Sequence, residues 1–458
     1  MQNRRDQAQA QSYLMGRLSS ALVSAEPDGL ETPHRRTSAG LLLGLLVAAL
    51  VAGGFTLYGF LVPGGSTRWR TPGTLVVEKE TGTRYLYVQG RLHPVLNLAS
   101  ARLLLGAPPQ PMSVSGKSLR GVPHGQPIGI AGAPDTLPAA GFGGSRWNVC
   151  AVTARDLAGG DRTATALAVT TAPTGAPPAD GTAIVAQVAG AADRYLIRAG
   201  HRHRITGTWI STVLGYETAP LAVPAAWLDL IPAGPDLAPV DVPGRGEPGP
   251  RLDGRDTRVG QIFNVGTRHY LLRRDGLARL TGTGAALLLG DPATAAAYGG
   301  VPVAAVPLGP AALATAALAT TPALPDGLPA EPPEVAGGGN WCVTTSAGAA
   351  PEITAQDPPG ALEVVRDGLG VTRSARTADA IAIEPGLGGL VRGGRPGEIA
   401  SGTYYLVTDA GVKYPLADAA AATTLGYDAT APAVVDPALL GLLPTGPVLG
   451  AAQARGGA

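Results

Sequence analysis

Residues 37–67 carry no charge, and within them 41–62 are nearly all apolar. A helix over those twenty-two residues rises about 33 Å, enough to cross the hydrocarbon core of a bilayer. The pattern predicts one transmembrane helix. A cleaved signal peptide fits poorly, because 36 residues precede the run and no Ala-x-Ala site follows it. Upstream, Leu14, Leu18 and Leu22 recur every four residues beside Met15, with Gln11 and Arg17 off the stripe. That spacing predicts an amphipathic helix over 4–23. Such a short helix is marginal alone in water and needs a surface, either the inner leaflet or a docking partner.

Beyond the apolar run the period changes from helix to strand. Residues 84–88 alternate, Gly90 follows, and 91–95 alternate again, which predicts a β-hairpin. Asn97 then stands as N-cap of a helix over 98–105, which Gly106 ends. The same order recurs after Tyr195, Tyr270 and Tyr405. The turn glycines are Gly90, Gly200, Gly276 and Gly411. Leu-Gly glycines follow them by 16, 15, 14 and 15 residues, at Gly106, Gly215, Gly290 and Gly426. Pro-x-Gly prolines follow by 33, 32, 31 and 33, at Pro123, Pro232, Pro307 and Pro444. Three marks in one order, four times over, read as an internal repeat.

The spacing of the repeats is uneven: their turn glycines stand 110, 76 and 135 residues apart. A Trp/Cys segment follows repeats one and three only, as Trp147-Asn-Val-Cys150 and Trp341-Cys342. The order is thus repeat, core, repeat, twice over: a duplicated half at 72–238 and 259–449. The expected fold is membrane-anchored α+β, with one transmembrane helix. An extracytoplasmic β-rich core then carries four small hairpin/helix repeats in a pseudo-two-fold arrangement. The expected segments are 1–36 (cytoplasmic), 37–67 (transmembrane), 72–128 (repeat 1), 139–191 (first core segment) and 192–238 (repeat 2). A linker at 239–257, rich in Pro, Gly and Asp, precedes 258–313 (repeat 3), 335–400 (second core segment), 401–449 (repeat 4) and a tail, 450–458. The low-complexity stretches 172–181 and 314–339 read as surface loops.

Composition adds boundaries. The net charge of +1 offers no basic field for nucleic acid. Glycine (65) and proline (42) make nearly a quarter of the chain, which implies many turns. Arg35 and Arg36 abut the inner end of the span while Arg68 and Arg70 lie beyond the outer end, so the positive-inside count nearly ties. The short polar N-terminus favours N-in and C-out. The matched contexts of Cys150 and Cys342 favour a disulfide, itself a sign of an oxidising compartment; the alternative is two unpaired buried thiols.

Candidate chemistry is sparse. Gly116-Lys117-Ser118 resembles the end of a phosphate-binding loop, but the pattern needs glycine where Pro111 stands, and proline offers no N–H. His93 and His203 sit three residues past their turn glycines, where the other copies hold Arg279 and Tyr414, so they read as one polar strand face. His201 could join His203, but no carboxylate or thiol completes a zinc site. Glu78 and Glu80 read as solvated ion-pair formers about Lys79, and no Gly-x-Ser-x-Gly elbow occurs. The sequence thus assigns no catalytic, cofactor or metal residue, and only Cys150 and Cys342 as a special pair.

Several motifs together resemble a known family. Arg4-Arg-Asp-Gln7, Ser12-Tyr-Leu and Arg17-Leu-Ser-Ser-Ala-Leu22 precede the span. Pro72-Gly-Thr-Leu-Val-Val-Glu-Lys-Glu-Thr-Gly-Thr-Arg-Tyr85, Gly90-Arg-Leu-His-Pro-Val-Leu-Asn97 and Ala99-Ser-Ala-Arg-Leu-Leu-Leu-Gly106 follow it. The chain resembles EccB, a membrane component of type VII (ESX) secretion systems. The resemblance implies a scaffold subunit in the plasma membrane with a periplasmic arm. It also implies homo-oligomerisation and partners of the EccC, EccD and EccE types with a mycosin protease. Two rival functions are an extracytoplasmic ATPase of the same system and a cell-wall-binding module.

Overall fold

The computed structural model describes residues 3–25, 33–61, 67–106, 108–139, 141–156, 158–173, 175–346, 349–358, 363–364, 368–394 and 402–456. The chain divides into two compact units, Met1–Leu92 with Gln110–Gly125, and His93–Pro109 with Gln126–Ala458.

In the first unit, helix α1 spans Arg4–Ser24 and leaves Leu14, Leu18 and Leu22 exposed. Helix α2 spans Pro33–Leu61. Within it Thr37–Gly59 is long and apolar enough to cross a membrane, alone among the described residues, and its apolar stretch is not buried in protein. A sheet follows, built from β1 (Thr74–Glu78), β2 (Arg84–Val88), β3 (Arg91–Pro94) and β4 (Gln110–Val114) in the order β3-β2-β1-β4. Gln89 and Gly90 both take positive φ, 50° and 80°, the two-residue turn whose twist matches that of the strands it joins. Trp69, Val76, Tyr85, Leu92, Val114 and Leu119 form the core of this unit. Between β3 and β4 the chain makes α3 (Leu98–Leu105), which belongs to the second unit; after β4 comes the short α4 (Gly116–Leu119).

The second unit opens with a long antiparallel hairpin, β5 (Arg146–Arg155) and β6 (Asp161–Thr170). Strands β7 (Thr182–Val188), β8 (Arg194–Arg198), β9 (His201–Ile205) and β10 (Leu221–Val223) pair as β10-β7-β8-β9, with helices α5 (Thr208–Val213) and α6 (Ala225–Asp229). Strands β11 (Ile262–Val265), β12 (Arg268–Arg273), β13 (Gly276–Leu280) and β14 (Val306–Pro307) pair as β13-β12-β11-β14, with α7 (Gly282–Gly290) and α8 (Pro310–Thr315). β15 (Glu334–Val335) adds to β7. β16 (Trp341–Ser346), β17 (Glu352–Ala355), β18 (Glu363–Val364) and β19 (Ala380–Ile383) return to the first hairpin, giving a six-stranded sheet ordered β17-β16-β5-β6-β19-β18. Last come β20 (Gly389–Gly393), β21 (Tyr404–Val407), β22 (Lys413–Pro415) and β23 (Ala433–Val435), ordered β22-β21-β20-β23, with α9 (Ala419–Leu425), α10 (Pro437–Gly441) and a closing α11 (Ala451–Arg455). In all four small sheets the first strand is central, its hairpin partner is antiparallel, and the strand after the helix runs parallel to it.

Three readings from the sequence need correction. The third set of marks is out of step with the others. In the first, second and fourth sheets the third strand exchanges backbone bonds with the Pro-x-Gly segment: Leu92 with Pro123 and Gly125, Arg202 with Pro232 and Gly234, Lys413 with Pro444 and Gly446. In the third, Leu277 makes the same bonds with Ala317 and Ala319. Pro307 lies one element earlier, in β14 against Asn264. Gly276 is likewise not the turn glycine, for it already pairs with Arg273 across the hairpin. The stretch 314–339 is more than surface loop, since it supplies this return segment and β15, and Leu324 and Leu328 pack on the core of the second sheet. Finally, 239–257 is not a loose tether. Val242 and Leu252 are buried, and Arg245 donates to Asp291 (2.7 Å), Thr294 (3.2 Å) and the Val240 carbonyl (2.5 Å).

Candidate functional site: a stapled sheet and two helix joints

Strand β5 alternates strictly, so its odd positions Trp147, Val149 and Ala151 face one way and its even positions Asn148, Cys150 and Val152 the other. β16 lies antiparallel to it with Cys342 opposite Cys150. The two are joined by a disulfide across 192 positions of sequence, with both residues fully buried. The odd face builds the largest core, where Trp147, Val149 and Val343 meet Ile184 and Val223 of the second sheet with Trp227 of α6, and Val391 and Val407 of the fourth with Leu439 of α10. Trp227 Nε1 donates to the Trp341 carbonyl (3.1 Å), which fixes α6 on the sheet. Beside the disulfide, the buried Asn148 Oδ1 accepts from Thr344 Oγ1 (2.9 Å) and Gln356 Nε2 (3.0 Å), and Thr344 and Thr354 share a hydrogen bond (3.1 Å). A buried amide so fully partnered helps to fix the register of β5, β16 and β17 beside the staple.

The helices of the small sheets meet in two pairs within this unit. α3 packs on α9 and α11 through Ala99, Leu103, Ala422, Leu425 and Ala454. Its Arg102 Nη1 donates to the Leu425 carbonyl (2.6 Å), closing the last turn of α9 where Gly426 takes φ 94°. A cation at a helix C-terminus complements the helix dipole. Nearby, Tyr427 donates to the Pro138 carbonyl (2.8 Å), and burial pushes its hydroxyl up to about 12 against a small opposing pull from Arg102. The second pair is apolar: α5 and α7 meet through Ile210, Leu214 and Leu287. A Cβ on Gly290 would overlap Val213 Cγ2. Among the Leu-Gly glycines, Gly290 thus makes room for a neighbouring helix, whereas Gly106, Gly215 and Gly426 take positive φ just past their helices.

The Pro-x-Gly mark also has a physical reason. A Cβ on Gly234 would overlap the ring of His203, and one on Gly446 the ring of Tyr414. His203 is only 3 % exposed and its Nδ1 bonds the Pro235 carbonyl (2.8 Å). His93 Nδ1 bonds the Gln126 carbonyl in the same way (2.9 Å). These positions are thus ring seats facing the return segment, and the expected polar strand face is corrected for His203 and Tyr414. Because the third turn is displaced by one, the matching residue there is the buried Ala278 and not Arg279. His201 lies on the exposed side and bonds its own turn through the Ala199 carbonyl.

Residues 110–114, where a phosphate loop would run, form strand β4, with Pro111 opposite Leu75. The Gly116 amide donates to Glu80 Oε2 (2.8 Å), and Glu78 Oε1 stands beside Gly116 Cα. A phosphate approaching Lys117 would meet two carboxylates, the opposite of an anion cradle. Among the described residues no cluster of three His, Cys, Asp or Glu could hold a metal ion.

Residues 2–457 match the family described as "Type VII secretion system ESX-1, transport TM domain B" (EccB). The chain is 29 % identical over 289 residues to the Mycobacterium tuberculosis H37Rv protein named ESX-1 secretion system ATPase EccB1; that match covers 60 % of this chain and 59 % of the relative, less than two thirds of its length. Among solved structures, it is similar to a chain of the periplasmic assembly from the ESX-5 inner membrane complex (TM-score 0.68, 26 % identity, 86 % of this chain and 97 % of that one). It is also similar to the EccB3 dimer from the ESX-3 core complex (TM-score 0.63, 25 % identity, 83 % and 99 %). With a family match from end to end and the same β-rich arm after one apolar helix, this chain belongs to the EccB family of type VII secretion.

Proposed function

We propose that the chain is a structural scaffold subunit of a type VII secretion membrane complex. It is anchored in the plasma membrane by α2, with its N-terminus cytoplasmic and its arm periplasmic. The observation that carries the reading is the family match over residues 2–457, joined to likeness with chains solved inside an ESX assembly and as a dimer. The second unit has the build of a scaffold: the second and fourth small sheets pack on one six-stranded sheet whose neighbouring strands β5 and β16 a disulfide joins. On this reading it self-associates and contacts EccC-, EccD- and EccE-type components and a mycosin protease. The common strand order of the four small sheets supports a duplicated, pseudo-two-fold arm, with repeats near 72–128, 192–238, 258–319 (the third extended to its return segment at Ala317–Ala319) and 401–449 about core segments at 139–191 and 335–400.

The test is gentle detergent extraction from the native host, followed by sizing and mass spectrometry of what co-elutes. Co-elution with other secretion components supports the reading, and recovery as a lone monomer counts against it. The second reading, an ATPase, has the relatives' printed names in its favour. It predicts ATP hydrolysis by the purified chain that vanishes in Lys117→Ala; hydrolysis equal in both leaves that reading without its only phosphate-loop residue.

A further inference from the structure

The first unit is charged unlike the rest of the chain. Outside α1 and α2, residues 67–92 and 110–125 hold seven Lys and Arg against two Asp and Glu, whereas 93–109 and 126–458 hold 23 against 28. The surplus is also polarised along the sheet. One end lies at Thr74, where the chain from the membrane helix enters. Leu75 pairs with Leu86 and Val77 with Arg84, so Val88 and the Gln89–Gly90 turn lie at that same end, with Arg91 next to the turn. Arg68, Arg70 and Arg91 are all exposed there, beside an exposed Val88. No acid occurs in 67–77 or 85–93. Both acids lie at the far end, where Glu80 accepts from the Gly116 amide (2.8 Å) and Glu78 from Thr81 (2.6 Å).

The tether to the membrane is short and firmly seated. Leu61, the last residue of α2, and Arg68 are seven positions apart, so at most ~25 Å of chain joins them. Trp69 is buried in the core of the sheet, edge-on to Tyr87 (5.3 Å), with the Arg70 guanidinium over its ring (5.1 Å). A tether this short lets the exposed cations reach the headgroups, and anionic lipids attract any cation that comes within a Debye length of them.

We propose that the end of the first sheet bearing Arg68, Arg70 and Arg91 rests on the bilayer surface and binds the phosphates of anionic lipid headgroups. The proposal rests on reading α2 as a membrane span, and not on its orientation. It gives a role to the cations beyond the span that leave the positive-inside count nearly tied.

The test uses the full chain in nanodiscs of phosphatidylcholine, alone or mixed with phosphatidylglycerol, read by amide hydrogen exchange over residues 67–77 and 84–95. Exchange should slow roughly threefold or more in the anionic discs, and high salt should remove the difference. The variant R68Q/R70Q/R91Q should lose the protection. R68K/R70K/R91K and the far-end variant K79Q/K117Q should keep it. Equal exchange in the two lipids, or protection surviving in the triple glutamine variant, overturns the proposal. So does equal protection from inorganic phosphate added to phosphatidylcholine discs, which would mean an ion site and not a surface. Failure of the chain to enter discs at all overturns the reading of α2 and the proposal with it.

Discussion

Gly290 has room for no side chain, because Val213 of α5 already occupies the place a Cβ would take. Its backbone does not require glycine, so the constraint is contact and not conformation. Gly290→Ala should destabilise the arm by about 1 kcal/mol, since overpacking outweighs the helix propensity alanine adds. Adding Val213→Ala should restore much of the loss in thermal melts of the two single variants and the double variant. Glu384 is a different kind of residue. It accepts from the Thr171 amide (2.7 Å), the Thr171 hydroxyl (2.9 Å) and the Thr170 hydroxyl (3.0 Å), and these bonds, the backbone one first, hold its carboxyl below the usual glutamate range. A depressed carboxylate adds stability that is complete above its unfolded value and is lost as pH falls through the folded one. The stability gap between wild type and Glu384→Gln should therefore close on acidification below the ordinary glutamate range. A gap unchanged down to acid pH would show that the hydrogen bonds do not depend on the charge.

Elements were legible in the sequence where their signals are local. Asn97 caps α3 by accepting from the Ser100 amide (2.9 Å), as its place before an apolar helix requires. The first two hairpins fold about glycines with positive φ, at Gly90 and Gly200. The third hairpin misled because its two-residue turn is Arg274-Asp275, with Gly276 already in the strand. A glycine one position late looks the same in a list of spacings. β14 misled for a related reason: a proline that opens a return segment in the first, second and fourth sheets sits in a strand in the third. The staple, unlike these, joins distant elements, and only the shared Trp/Cys context pointed to it. Removing it as Cys150→Ala with Cys342→Ala should cost roughly 5 kcal/mol by the chain-entropy argument for so long a loop. Denaturant unfolding with and without reductant should give the same loss in the wild type once the disulfide is reduced.

At the scale of the whole molecule, what the sequence could not reveal was which helix meets which. Nothing local in α3 announces α9, some 320 positions away, though Arg102 bonds its final turn; nor does α5 announce α7. Such contacts depend on where the central sheet puts the small ones, and no periodicity encodes that. Yet these contacts make the second unit a single body. The staple joins β5 to β16, and the two helix joints tie α3 to α9 and α5 to α7. If the chain acts by holding neighbours at fixed places, stiffness in this unit is the property its function uses. A chain with the staple removed should then still insert through α2, because nothing in that helix depends on the arm. It should lose assembly, because surfaces presented by a loosened sheet lose more conformational entropy on docking. Gentle extraction of the Cys150→Ala, Cys342→Ala chain should accordingly yield normal amounts in the membrane fraction but a sharply smaller share in the large complex. Gly290→Ala should show the same effect more weakly, and Gly290→Ala with Val213→Ala should recover it. Full assembly of the staple-free chain, at a temperature where its arm is measurably loosened, would separate rigidity from scaffolding and leave the partner contacts to the first unit and the membrane helix.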